Sequence, residues 1–249
     1  MLRYGWTIPE MPTFCACGKR NTVEHALDCK RGGYVHMRHN AIRDTEAKIL
    51  REMATDVRIE PPLQPVVNSS HLKPGTNVAD GARLDVSARG VFSGLEQTFF
   101  DVRVTNPNSP SNKDKKLNEL YAKHEKEKMS KYNDRVLQVE KSSFVPLVFT
   151  TSGGMGPQCE AVHKKIAEAI SEKRNELYSN VMNHIRTRLR FALLKTVLVA
   201  IRGVRGKRNI HEQDLNNICF NMIPYVSAYE GYGPWGMFKF KPPKCNRFG

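Results

Sequence analysis

Between residues 81 and 104 the chain reads GARLDVSARGVFSGLEQTFFDVRV, two short apolar runs separated by a glycine-containing turn around Gly90 to Gly94, each run holding one aspartate. β-Branched and aromatic residues in runs of this length favour extended backbone, and glycines at the junction let the two strands pair as neighbours. Aspartate is disfavoured inside strands, and taking a polar group out of water without a partner costs about 2–7 kcal/mol. A chain with Asp85 and Asp101 on adjacent strands must offset that cost twice. A hard divalent cation such as Mg²⁺ does so, because its charge cancels both the repulsion between two carboxylates and their desolvation. Salt bridges to Arg83 and Arg103 are the simpler alternative.

The flanking segments predict an α/β fold with a mixed sheet covered by helices. Helical spacing of Ile42, Ile49, Leu50 and Met53 marks a helix over residues 36–54, followed by a strand, DVRIE, that stops at Pro61 and Pro62. Residues 61–80, rich in Pro, Asn, Ser and Gly, read as a loop. Beyond NPNSPSN, residues 113–141 predict a long charged helix with Leu117, Tyr121, His124, Lys128, Tyr132 and Val136 on its inward face. A lysine in the middle of such a stripe either meets a partner or snorkels to water. FVPLVFTT is a continuous apolar run and predicts a buried central strand, and helices are expected over 158–178 and 180–202. The segment 204–249 reads as a basic, poorly ordered tail.

Three of the six cysteines lie close together in CACGKRNTVEHALDC, and the other three are scattered, which argues against a disulfide framework. Cys15, Cys17, His25 and Cys29 supply three thiolates and an imidazole, a set suited to a closed tetrahedral zinc site, with Gly18 helping the backbone turn back toward the metal. Only Ala16 separates the first pair, so His36 or His39 stands as a substitute ligand, and three unrelated buried thiols are the plain alternative.

Lys and Arg outnumber Asp and Glu by 39 to 25, a net charge of +14 that favours a polyanionic partner, nucleic acid before membrane. The longest apolar-rich run, FALLKTVLVAI, contains Lys195 and is too short to span a bilayer, so an intracellular protein without a membrane partner is expected. No P-loop, nucleophilic triad or dinucleotide fingerprint is present, which leaves ATPase, protease and dehydrogenase chemistry without support.

Several short pieces together resemble the C-terminal region of site-specific non-LTR retrotransposon proteins, a CCHC zinc knuckle followed by a restriction-like endonuclease of the PD-(D/E)xK superfamily, itself similar to archaeal Holliday junction resolvases. The pieces are the knuckle at residues 15–29, RHN at 38–40, EPPLQ at 60–64, RLD at 83–85, FDVRV at 100–104, and Lys128 with Tyr132, in family order over about residues 14–150. The resemblance implies a zinc knuckle within residues 1–33 and a nuclease domain over 34–203. It implies that Asp85 and Asp101 bind a catalytic Mg²⁺ or Mn²⁺, that Lys128 is the catalytic lysine, that Tyr132 supports it, and that Glu60 adds a third carboxylate. Arg38 would hold a phosphate or order the site, and His39 and Arg103 would meet nucleic acid. Leu84 stands where the family often has proline and Arg103 where the superfamily often has lysine; a guanidinium stays protonated and is limited to electrostatic help. Arg186 and Arg190, outward on a late helix, are further candidates for phosphate contact.

The implied activity is nicking of chromosomal DNA in the nucleus, with the element RNA and the reverse-transcriptase portion of a parent polyprotein as further partners. A binding module that no longer cuts and a junction-resolving enzyme are the alternatives.

Overall fold

The computed structural model describes residues 11–67 and 71–203, and the expected tail at 204–249 lies outside them. Gly32 and Gly33, with φ of 82° and 70°, occupy backbone that side chains disfavour and turn the chain out of a short helix, α1 (Val23–Asp28), into α2 (Tyr34–Leu50). Then follow β1 (Thr55–Ile59), β2 (Val86–Arg89), β3 (Gln97–Thr105), α3 (Leu117–Lys128), β4 (Ser143–Thr150), α4 (Pro157–Arg174) and α5 (Tyr178–Arg202).

Among the described residues the strands form one mixed sheet in the order β1-β2-β3-β4. The first three are antiparallel neighbours, and β4 runs parallel to β3 with Asp101 opposite Pro146. A parallel pair needs a crossover, which α3 and the segment after it supply. β4 is therefore an edge strand, not the central strand that its apolar run predicts. Its two faces are nonetheless buried in the two parts of the core, through Leu147 and Phe149 on one side and Phe144 on the other, and the chain folds back on the end of its edge: the Gly154 carbonyl accepts from the Thr150 N–H (2.9 Å), and the Gly156 N–H donates to the Val148 carbonyl (2.8 Å). Pro146, which has no N–H to give a central strand, was the sequence signal for an edge.

Alternation along β3 divides the core. Phe100 and Val102 face the layer of α2, α4 and α5, where they join Ile42, Leu50, Ile166 and Leu189. Phe99 faces the other way, with Leu63, Leu84, Tyr132, Val136 and Phe144. By the same period-two rule Asp101 shares the face of Phe99.

The helix expected over 113–141 begins at Leu117, keeps α geometry to Lys128 and continues as two π-helical stretches, Met129–Asn133 and Val136–Glu140. Leu117 is exposed and does not join the inward stripe; Tyr121, His124, Tyr132 and Val136 do.

Candidate functional site

At the amino-terminal end, a tight turn and a short helix bring four ligand types together. The Gly18 N–H donates to the Cys15 carbonyl (2.8 Å), the Cys15 N–H donates to the Lys19 carbonyl (2.9 Å), and Gly18 takes a φ of 86°. Thr22 caps α1 by accepting the His25 N–H (3.1 Å), which sets the imidazole on the first turn, and Cys29 closes the helix with its N–H on the His25 carbonyl (2.8 Å). The Sγ atoms of Cys15 and Cys29 are 3.7 Å apart, Cys17 Sγ is 3.2 Å from His25 Nε2, and all four ligand atoms lie within 4.8 Å of one another. Two vertices of a tetrahedron with metal–sulfur bonds of about 2.3 Å stand about 3.8 Å apart, so the group fits a zinc ion. The substitute ligands are not used: His36 is exposed and His39 turns to Asp85.

The second cluster lies where β1 ends and β2 begins. Asp85 immediately precedes β2 instead of lying within it, and the register that pairs Val86 with Phe100 carries on to set Asp85 opposite Asp101. Its Oδ2 accepts the Val102 N–H (2.6 Å) and its Oδ1 meets His39 Nε2 (2.9 Å). Burial opposes its ionisation, but His39 and the Val102 N–H outweigh that and hold the carboxyl below its ordinary range. Asp101, only 6% exposed, forms an ion pair with Lys128 through an oxygen that accepts no aligned hydrogen bond. Burial raises its pKa to about 6; the Lys128 charge pulls the other way and the Asp85 charge adds to the rise. Like charges directly opposite on a sheet repel, and here one carboxyl is kept ionised while its neighbour is kept easy to protonate.

Lys128 reaches this corner from the last turn of α3, at the junction with π-helical backbone, a local widening that recurs at functional sites. Its Nζ lies 5.8 Å from the ring centroid of Tyr132, and that ring packs on Phe144 at 5.9 Å. Tyr132 thus braces the ammonium with its ring face. Glu60 comes to the edge of the same corner, its N–H donating to the Asp85 carbonyl (2.9 Å) and its carboxylate paired with Arg43. Glu60 has a φ of 52° directly before Pro61, a conformation doubly disfavoured and held by the surrounding contacts.

Arg43 is the residue that sequence reasoning missed here. It sits one helical turn after His39 on α2, so both project to the same place, and the i, i+4 spacing was the available signal. Arg38 departs from its expected part: it is 2% exposed and donates to the Leu27 carbonyl (3.0 Å), beside Asp28, so it joins α1 to α2 and presents nothing to a phosphate. Arg103 is exposed on the Asp101 face of β3, near His124 and Glu127. Arg83 is exposed too, and the partners of Asp85 and Asp101 are His39 and Lys128 instead of these two arginines. Arg186, paired with Glu160 (3.1 Å), and Arg190 belong to α5, in the layer packed on the opposite face of the sheet, so they are not brought to the carboxylates.

Among the described residues no helix is long and apolar enough to cross a membrane. No protein-family model and no curated protein sequence matches the chain.

Proposed function

We propose that this chain is a metal-dependent DNA endonuclease of the restriction-like type, with a zinc knuckle ahead of the nuclease core, as in site-specific non-LTR retrotransposon proteins. The observation that carries this reading is the convergence of Asp85, Asp101 and Lys128 on one corner of the sheet. Asp85 and Asp101 would hold Mg²⁺ or Mn²⁺, with Glu60 at the margin, and the bound ion would polarise a phosphoryl oxygen and acidify water. Lys128 would turn from Asp101 to the scissile phosphate, where its ammonium offsets the charge that grows in the transition state. His39 keeps Asp85 ionised and oriented. Water adds to phosphorus, the bond to the 3′ oxygen breaks, and that oxygen takes a proton to become the hydroxyl that would prime reverse transcription. A chromosomal target places the reaction in the nucleus.

A supercoiled-plasmid nicking assay with Mg²⁺ tests this. Asp85→Ala and Asp101→Ala are each expected to lower the rate by about 10²–10³-fold. Nicking that survives both substitutions refutes the assignment. One observation favours a second reading, a nucleic-acid-binding module that does not cut: each carboxylate already has a cationic or imidazole partner without an ion. Salt-sensitive DNA binding with no nicking in either metal would select it.

A further inference from the structure

On the outward side of α3 lies a groove of about 560 Å³ lined by Gly75, Lys123, Lys126, Glu127, Ser130 and Lys131. One wall is helical, and the other is the loop around Gly75. The loop is pinned: the Asn77 N–H donates to the Lys131 carbonyl (2.8 Å), the Lys73 N–H donates to Asp134 Oδ2 (2.8 Å), and Arg135 Nη1 donates to the carbonyls of Asn77 (2.7 Å) and Ala79 (3.0 Å). The groove is thus formed before any ligand arrives. Its single carboxylate, Glu127, is spoken for by Lys123 (3.7 Å) and His124 Nδ1 (3.2 Å), while Lys126 and Lys131 have no carboxylate partner among the described residues. The groove therefore carries an excess of positive charge with a hydroxyl, Ser130, among the ammonium groups.

The groove also lies close to the carboxylate corner. Lys131 Nζ lies 5.1 Å from the centroid of the Tyr132 ring, and Lys128 Nζ lies 5.8 Å from the same centroid. The last ammonium of the groove and the ammonium on Asp101 thus share one aromatic ring. We infer that this groove binds the phosphodiester backbone of a nucleic-acid strand and leads it to Asp101 and Lys128. A lone phosphate would leave most of an open groove of this volume unfilled, whereas a strand places successive phosphates along it. The inference rests on the nucleic-acid substrate proposed above.

Binding is measured in EDTA by fluorescence anisotropy across a salt series, with labelled duplex DNA and with single-stranded RNA, so that no cleavage contributes. Each lysine–phosphate contact adds about 0.7–0.9 to the slope of log affinity against log salt. The triple variant Lys123→Gln, Lys126→Gln, Lys131→Gln, with its thermal midpoint unchanged, is expected to lower that slope by about 2–3 and to weaken binding by about 10–100-fold at moderate salt. An equal charge change on α4 and α2, Lys48→Gln, Lys164→Gln, Lys165→Gln, should leave the slope within about half a unit of the unaltered protein. A drop seen with only one of the two ligands supports the inference and names the strand that uses the groove.

The inference is overturned if the groove variant keeps the full slope, if the control variant loses as much, if polyglutamate displaces the nucleic acid as readily as competitor DNA, or if the unaltered protein binds neither ligand. A protein whose binding depends on the groove but which never nicks upholds the groove and removes the nuclease. A nicking protein with a groove-independent slope does the reverse.

Discussion

Asp101 is the residue at which burial and local charge oppose each other most directly. Its carboxyl stays protonated in the folded chain up to about pH 6, whereas the unfolded chain releases the proton near 3.8. Between those values the folded state binds more protons, so the contribution of this group to stability falls as pH rises through the window and is a full cost above it. That cost is at most about 3 kcal/mol. Urea midpoints at pH 4.5 and 7.5 should therefore show a flatter dependence in Asp101→Asn than in the unaltered protein, and if the proposed ion binds here, Mg²⁺ at pH 7.5 should restore stability to the unaltered protein alone. Equal slopes in the two proteins would contradict the burial argument. The pairing of two aspartates was legible in the sequence because charged residues stand out in an apolar run. What could not be read was how each would be satisfied, since His39 is 46 residues before Asp85 and only the docking of α2 brings them together.

At the scale of elements, periodicity located almost every helix and strand, because burial of one face leaves its mark every two or every three to four residues. It failed where an element is defined by what packs on it. The change from α to π geometry after Lys128 is one such case, for a stripe with steps of four fits either winding. The loop over 61–80 is another: its polar composition hides that it is clamped to the π-helical segment by Arg135, which is fully buried and donates through Nη2 to the Gln64 carbonyl (2.8 Å) as well as to Asn77 and Ala79. Arg135→Met keeps most of the volume and strands three carbonyls and their loop. It is expected to cost about 3 kcal/mol or more, read as a lower urea midpoint. Arg135→Lys should recover little, because one ammonium cannot replace the planar fork that spans the two sides of the loop. Full recovery by lysine would show that charge alone, and not fork geometry, holds the loop.

At the scale of the molecule, specific polar contacts join the cysteine-and-histidine segment to the α/β core. Arg38 of α2 reaches the Leu27 carbonyl at the end of α1, and Asn106, just past β3, donates from Nδ2 to Asp28 Oδ2 (3.1 Å). The four candidate ligands were legible from spacing alone, but this junction was not, because Arg38 in isolation looks like any basic residue near a nucleic-acid site. If zinc holds the segment, purified protein should contain about one equivalent, since three thiolates and one imidazole complete a single tetrahedral site. Removing the ion with a strong chelator should free α1 and leave the guanidinium of Arg38 without its acceptor, lowering the thermal midpoint. The sheet makes no use of those ligands, so it should remain folded. Hydrogen exchange separates the two: amides of residues 13–29 should lose protection on chelation while those of Gln97–Thr105 keep theirs. If β3 lost protection together with the segment, the segment and the core would be a single cooperative unit. If neither changed, no metal would be holding the four side chains together.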